Sequence, residues 1–219
     1  MHETTQVTYG DGTITVTMNS ESANEAAAPN VRFGDYNEAA VSCFTEKELE
    51  EIFGGENANV NFEIVMSDEA KDEETHNQFL SAIPQPKEGE EAYREGVYFE
   101  TEATKSVGDD NELPFNSFTK DVEMQFDIPV NLYTEMREYL AVTNVMGVCE
   151  LNDDFDEDAN TLTIMTHNVG TTLLLYRRDA DERVDAEGSI RITSKHLISF
   201  GIIVLIVIWF VIDRIHKTQ

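Results

Sequence analysis

The sequence predicts a mainly β (α+β) fold: an antiparallel β-sandwich-like domain with two short helices, followed by one C-terminal transmembrane helix. Three observations carry this. Apolar and polar residues alternate with a period of two in many short stretches along residues 7–176. A helix-start signature at Thr45 and a proline-terminated stretch before Pro84 mark two short helices. The run Leu197–Ile212 holds no charged side chain, whereas the sequence before it is polar and acidic.

The strands follow in order. Val7–Tyr9 precedes the turn residues Gly10-Asp11-Gly12, after which Ile14, Val16 and Met18 alternate with threonines. This is the pattern of a half-buried hairpin strand. Val60, Phe62 and Ile64 alternate with Asn61 and Glu63, and Val97 and Phe99 with Tyr98 and Glu100. Val122, Met124, Phe126 and Ile128 alternate with Glu123, Gln125 and Asp127, in the cleanest such stretch, which Pro129 stops. Tyr139–Val148 is apolar but broken near Asn144. Leu162 and Ile164 alternate with Thr161 and Thr163, and Leu173–Tyr176 closes the set.

Thr45-Glu46-Lys47-Glu48 is a capping box, in which the Thr45 hydroxyl takes the Glu48 amide and Glu48 reaches back. Leu49, Ile52 and Phe53 then form one face, and Gly54-Gly55 stops the helix. The second helix begins at Ser67 or slightly later, carries Phe79, Leu80 and Ile83 on one side, and ends before Pro84 and Pro86.

The terminal run predicts a membrane span. Its sixteen residues cover ~24 Å at the helical rise, short of the roughly 30 Å hydrocarbon core. Lys195 and Arg214 extend it by keeping their stems apolar and their charges in water, and Trp209 suits an interface. The organisation expected is therefore a β-rich domain over 1–176, a charged linker over 177–194, a transmembrane helix over 195–214 and a short basic tail over 215–219. Arg177, Arg178, Arg183, Arg191 and Lys195 before the span outnumber Arg214 and Lys217 after it, which mildly favours a cytoplasmic domain. Met1-His2-Glu3 leads directly into polar sequence without a signal-peptide pattern. This fits either a tail-anchored protein or a piece of a longer exported chain.

With 43 acidic against 15 basic residues the formal net charge is −28. Such a chain repels nucleic acid and anionic lipid headgroups, so no nucleic-acid partner is expected. Cys43 and Cys149, with five scattered histidines, are too few for a zinc site; they read as two core thiols or, on export, one disulfide.

The sharpest candidate for chemistry is Asn152–Asn160. Asp154, Asp156 and Asp158 have the alternate spacing of calcium ligands, so calcium is the one cofactor the sequence suggests. A helix–loop–helix calcium loop wants Gly at the sixth position and Glu at the twelfth; Ala159 and Met165 stand there, which leaves a looser site or an exposed hairpin turn. Asp109-Asp110 with Glu112 is a similar turn. His76 sits in an acidic helix, His167 between strands and His196 at the membrane edge, none near a strained elbow or glycine-rich loop, so they read as solvated. Gly10-Asp11-Gly12 lacks the rest of a phosphate-binding fingerprint.

Phe126-Asp127-Ile128-Pro129, then Tyr139–Val145, Glu150-Leu151, the acidic turn, Asn160–Thr166 and Val169–Tyr176 together carry a resemblance. They are similar to the closing segment of β-sandwich modules in Gram-positive bacterial cell-surface proteins, and the capped helix and following strand of the first half fit as well. Thr143-Asn144 stands where that family has an arginine-centred strand, and Val169–Thr172 where it has an aromatic motif. The resemblance implies a non-catalytic structural or adhesive module on the cell surface, with an extracellular protein or glycan as partner and no catalytic residue. It also implies a single-pass membrane anchor with the domain outside. The alternatives are a tail-anchored protein with a cytosolic acidic domain and a membrane-tethered hydrolase.

Overall fold

The computed structural model describes residues 1–23, 30–133, 137–155, 158 and 160–178. The chain divides into two compact units, Met1–Arg177 and Arg178–Gln219, and the sequence-predicted span 195–214 lies outside the described residues. Among the described residues no helix is long and apolar enough to cross a membrane.

The fold is β-rich α+β. In chain order its elements are β1 (His2–Tyr9), β2 (Gly12–Ser22), β3 (Val31–Phe33), α1 (Tyr36–Ser42), α2 (Glu46–Phe53), β4 (Ala58–Ser67), α3 (Glu73–Ala82), β5 (Arg94–Val107), β6 (Leu113–Pro114), β7 (Ser117–Asp127), β8 (Arg137–Val145), β9 (Val148–Asp153), β10 (Thr161–Asn168) and β11 (Thr171–Arg178). The described strands form an eight-stranded sheet in the order β1-β2-β4-β5-β11-β8-β9, with β6 beside β5, and a three-stranded sheet in the order β10-β7-β3.

Alternation fixes which face of each strand is buried. Ile14, Val16 and Met18 of β2, and Val60, Phe62 and Ile64 of β4, point to one side and are almost wholly buried. Val122, Met124 and Phe126 of β7 meet them from the small sheet, with Leu162 and Ile164 of β10 and Phe33 of β3. Aromatic rings join the two layers: Phe99 of β5 lies 4.9 Å from Phe126, and Phe33 stands edge-on to Phe62 at 5.2 Å. The helices α1 and α2 close this first cluster with Ala39, Ala40, Phe44 and Ile52.

A second cluster lies on the opposite face of the larger sheet. Tyr98 of β5, Leu140 and Val142 of β8, and Leu173 and Leu175 of β11 gather under Phe79 of α3. Strands β8 and β11 are thus covered on both faces, which explains their continuous apolar sequence. Strands β2 and β4 have one covered face and keep strict alternation.

Several sequence expectations are corrected. The sheet is mixed rather than antiparallel: β2 and β4 pair in parallel, Ile14 opposite Ala58 through Ser22 opposite Met66. The segment between them contributes β3 to the other sheet and then two helices, and such a long crossover is what parallel neighbours require. There are three described helices, not two. The additional one, α1, is capped by Asp35, whose side chain accepts from the amides of Asn37 and Glu38. Helix α3 begins at Glu73, six residues beyond Ser67, because Asp72 supplies the cap through the Thr75 amide. Phe79 is buried but Leu80 is 43% exposed, so Leu80 faces outward. Strand β8 is not broken at Asn144; the turn is Met146-Gly147, at φ 52° and 87°. Strand β11 continues two residues past Tyr176, into the stretch the sequence assigns to the linker.

Phe99 is 0% exposed at the contact between the layers. Phe99→Ala is expected to lower unfolding free energy by about 3–5 kcal/mol, measured by urea denaturation. Phe53→Ala, at a position 61% exposed, should cost far less in the same experiment.

Candidate functional site

The groups that gather into a site sit between α3 and the start of β5. After β4 ends at Ser67, its hydroxyl accepts from the Glu69 amide and turns the chain. Asp72 then caps α3, which places His76 one turn later on the flank facing β5. Strand β5 brings Glu95 and Tyr98, three residues apart, to meet it. His76 Nε2 donates to Glu95 Oε2 at 2.9 Å, and the Tyr98 hydroxyl makes a very short hydrogen bond to the same oxygen.

Around this trio lies a cleft of ≈ 380 Å³ lined by Asp68, Glu69, Ala70, Asp72, Glu73, His76, Glu95 and Tyr98. Five of these eight are carboxylates. Two effects shape their electrostatics. Burial pushes the Tyr98 phenol well above its ordinary range, and its hydrogen bond to Glu95 adds to the rise. The backbone amide of Thr75 holds the Asp72 carboxyl below its usual range. The phenol therefore stays protonated through neutral pH, held on Glu95, in a cleft whose lining is rich in acidic side chains.

A second polar constellation ties down the neighbouring chain. Arg177 reaches Glu138 with Nε at 2.8 Å and Nη2 at 3.0 Å, and Glu90 with Nη1 at 2.6 Å. It lies over the Tyr93 ring, 4.4 Å from its centroid, while the Tyr93 hydroxyl donates to Glu138 at 2.6 Å. Planar fork geometry of this kind is what a guanidinium supplies and an ammonium does not. The arrangement fixes the loop before β5 against the ends of β8 and β11. Its groups are saturated by one another, which makes it structural.

The acidic segment 152–160 is not a hairpin turn. Strand β9 pairs with β8 in the larger sheet and β10 with β7 in the smaller, so the segment crosses between sheets. Asp154 Oδ1 accepts from the Thr163 amide at 3.0 Å, and Asp158 Oδ1 accepts from the amide and the side chain of Asn160. Asp156 lies outside the described residues. Among the described residues no group of three His, Cys, Asp or Glu side chains stands close enough to hold a metal ion. Cys43 and Cys149 are free thiols in different clusters; burial pushes Cys43 up to about 12. His167 stands 3.5 Å from Asp121 on the surface, and His196 lies outside the described residues.

His76 and Glu95 escape a sequence search because nineteen positions separate them. The readable trace is the interruption of alternation at Arg94-Glu95-Gly96, just before Val97. Comparison with family models, curated proteins and solved structures found no match.

The folded state holds Tyr98 neutral above the phenol's ordinary value of about 10. A raised folded-state pKa stabilises below the unfolded value, and that stabilisation is lost as pH rises beyond it. Urea denaturation at pH 8 and pH 11 should therefore show a loss of stability on going alkaline that is smaller in Tyr98→Phe than in the parent chain.

Proposed function

We propose that this chain is a non-catalytic binding module held at a membrane and displayed on a cell surface, and that its acidic cleft receives cationic groups. The observation carrying this reading is the shared acceptor in the cleft. Glu95 Oε2 takes both the His76 and the Tyr98 donors. Two donors fix the orientation of this carboxylate, and a phenol pushed upward stays protonated at neutral pH. What the arrangement does well is hold negative charge in a fixed position beside Asp68, Glu69 and Glu73. An ammonium or guanidinium group entering there gains several carboxylate neighbours without rearrangement.

The membrane part of the proposal is supported by the uncharged run Leu197–Ile212 and its basic flanks. The outward orientation rests on the sequence resemblance carried by Phe126–Pro129 and the strands that follow it. The acidic crossover 152–160 remains the place where this reading would put calcium, with Asp154, Asp156 and Asp158 as its ligands.

Two experiments test the proposal. Lysine amide added to the full chain in neutral detergent should shift the His76 ring signals with saturation at roughly ten millimolar or above, as a few exposed ion pairs deliver. N-acetylglutamate amide should not, and Glu95→Gln should weaken the lysine response. Equal response to both amides, or no effect of the substitution, removes the cleft from consideration. For orientation, protease added to intact Gram-positive cells expressing the chain should remove the β-rich domain without lysis; protection until lysis places it inside.

A further inference from the structure

Five strands of the described residues carry an unpaired edge: β1, β9 and the two-residue β6 in the larger sheet, β10 and β3 in the smaller. A sheet edge presents unpaired N–H and C=O groups, and proteins blunt such edges by shortness, polar side chains or cover. Strand β3 has only three residues. Strand β1 exposes His2, Glu3, Thr4, Gln6 and Thr8. The edge of β10 is met by the crossover, where Phe155 N–H donates to the Thr163 carbonyl at 2.6 Å and Asp154 takes the Thr163 amide.

Strand β9 differs. It is six residues long, with Val148 72% and Leu151 48% exposed. Its register shows which backbone groups face outward. The β8–β9 hairpin closes through Met146-Gly147 with Val145 opposite Val148, Thr143 opposite Glu150 and Ala141 opposite Asn152. In a two-residue hairpin the pair flanking the turn is hydrogen-bonded, and such pairs alternate along the ladder. The backbone groups of Val148, Glu150 and Asn152 therefore face β8. Those of Cys149, Leu151 and Asp153 face away, and no backbone hydrogen bond among the described residues meets them.

We propose that the outer edge of β9 docks an extended basic peptide segment, which joins the larger sheet as its next strand. Charge selects this occupant. Each face of β9 pairs one apolar residue with one carboxylate: Leu151 with Asp153 on the α3 side, Val148 with Glu150 on the other. A second copy of this chain would bring Glu150 and Asp153 of both copies onto one seam between two bodies of net charge −28, and like charges on facing strands are destabilising. An extended segment with lysines opposite Glu150 and Asp153 and apolar residues opposite Val148, Cys149 and Leu151 complements both faces of the strand; Glu150 Oε2 also accepts from Asn168 Nδ2 at 2.6 Å. Main-chain bonds supply the attachment and alternate side chains the choice of partner. Leu151 stands opposite Val142 of the second cluster, so an apolar residue docked beside it extends that cluster outward.

The inference rests on the reading of the chain as a binding module but uses a different surface from the cleft. The register gives the probe for antiparallel addition: the end-blocked hexapeptide Lys-Thr-Val-Lys-Val-Val, fluorescently labelled and titrated onto the full chain in neutral detergent by anisotropy. It should bind, and the version with glutamates for lysines should not. N-methylation at alternate residues should abolish binding in one frame and spare it in the other. Leu151→Pro removes an outward N–H at an edge position, where proline is tolerated. It should weaken binding roughly fivefold to tenfold, as loss of one net hydrogen bond implies. If that variant does not fold, Glu150→Lys with Asp153→Lys decides the matter by reversing the preference between the two peptides. Glu95→Gln should leave the hexapeptide unaffected, so failure at the cleft and failure at the edge are separately visible. The proposal is overturned if the two peptides bind alike, if both methylation frames are tolerated, if neither β9 variant changes affinity, or if the chain self-associates through β9 instead.

Discussion

The structure depends on two adjacent residues of β5 that point in opposite directions. Successive strand side chains alternate between faces, so Phe99 enters the first cluster against Phe126 while Tyr98 enters the second, edge-on to Phe79 at 5.4 Å. At the same positions β5 pairs with β4 on one side, through Met66 and Ser67, and with β11 on the other, through Thr172 and Leu173. One dipeptide therefore holds the small sheet, α3 and both halves of the large sheet in register. It also places the cleft: Glu95 lies three residues earlier, the register shift opposite Leu173–Leu175 brings it to the Tyr98 side of the strand, and its acceptor oxygen is fixed by the Tyr98 hydroxyl. Packing and the site's geometry are the same constraint here: the phenol that fills the second cluster is the one that orients the carboxylate.

Against the excess of acid, four bases stand where separate segments meet. Lys105 of β5 reaches the Cys43 carbonyl at 3.0 Å and Glu48 at 2.7 Å, holding the α1–α2 junction to the sheet with its ammonium over the Phe44 ring, 5.4 Å from the centroid. Arg32 joins Gln125 and Asp127 across the small sheet. Arg137 lies over Tyr176 and donates to the Leu132 carbonyl. Arg177 gathers Glu90 and Glu138. Burial alone would raise Glu48 and Glu138, yet hydrogen bonds to Lys105 and Arg177 carry both below the usual carboxylate range. These carboxylates stabilise the fold above their ordinary titration range and cease to do so as pH falls through the lowered values. Among the described residues no aspartate or glutamate is buried.

Legibility in the sequence followed the physics of each element. Strands with one covered face, such as β2 and β7, announced themselves by strict alternation, and α2 by a capping box that the structure reproduces at Thr45 and Glu48. Helix α1 was invisible because Tyr36–Ser42 is only seven residues long and its cap, Asp35, follows a glycine in what looks like a turn. The parallel pairing of β2 and β4 left no mark, since half-buried strands alternate identically in either direction. The crossing of the acidic segment between sheets was equally hidden, because a polar turn reads the same whether it joins neighbours or partners in different layers. The site was legible only as fragments, for a histidine and a carboxylate brought together by tertiary folding have no spacing to recognise. The span at Leu197–Ile212 is a sequence inference that the described residues do not reach.

Strong acidity and an open strand edge bear on one another. An exposed edge with Val148 and Leu151 would, on a neutral surface, invite pairing between copies of the same chain. Carboxylates at Glu150 and Asp153 make that encounter repulsive while leaving the outward amides and carbonyls free. The same charges lower the barrier for a strand of opposite sign, because attraction raises its local concentration before any hydrogen bond forms. Short, covered or polar edges at β3, β10 and β1 need no such electrostatic guard. The chain thus carries its exposed apolar edge where flanking acid can discriminate between partners, and a surface that repels its own kind is what permits such an edge to remain uncovered.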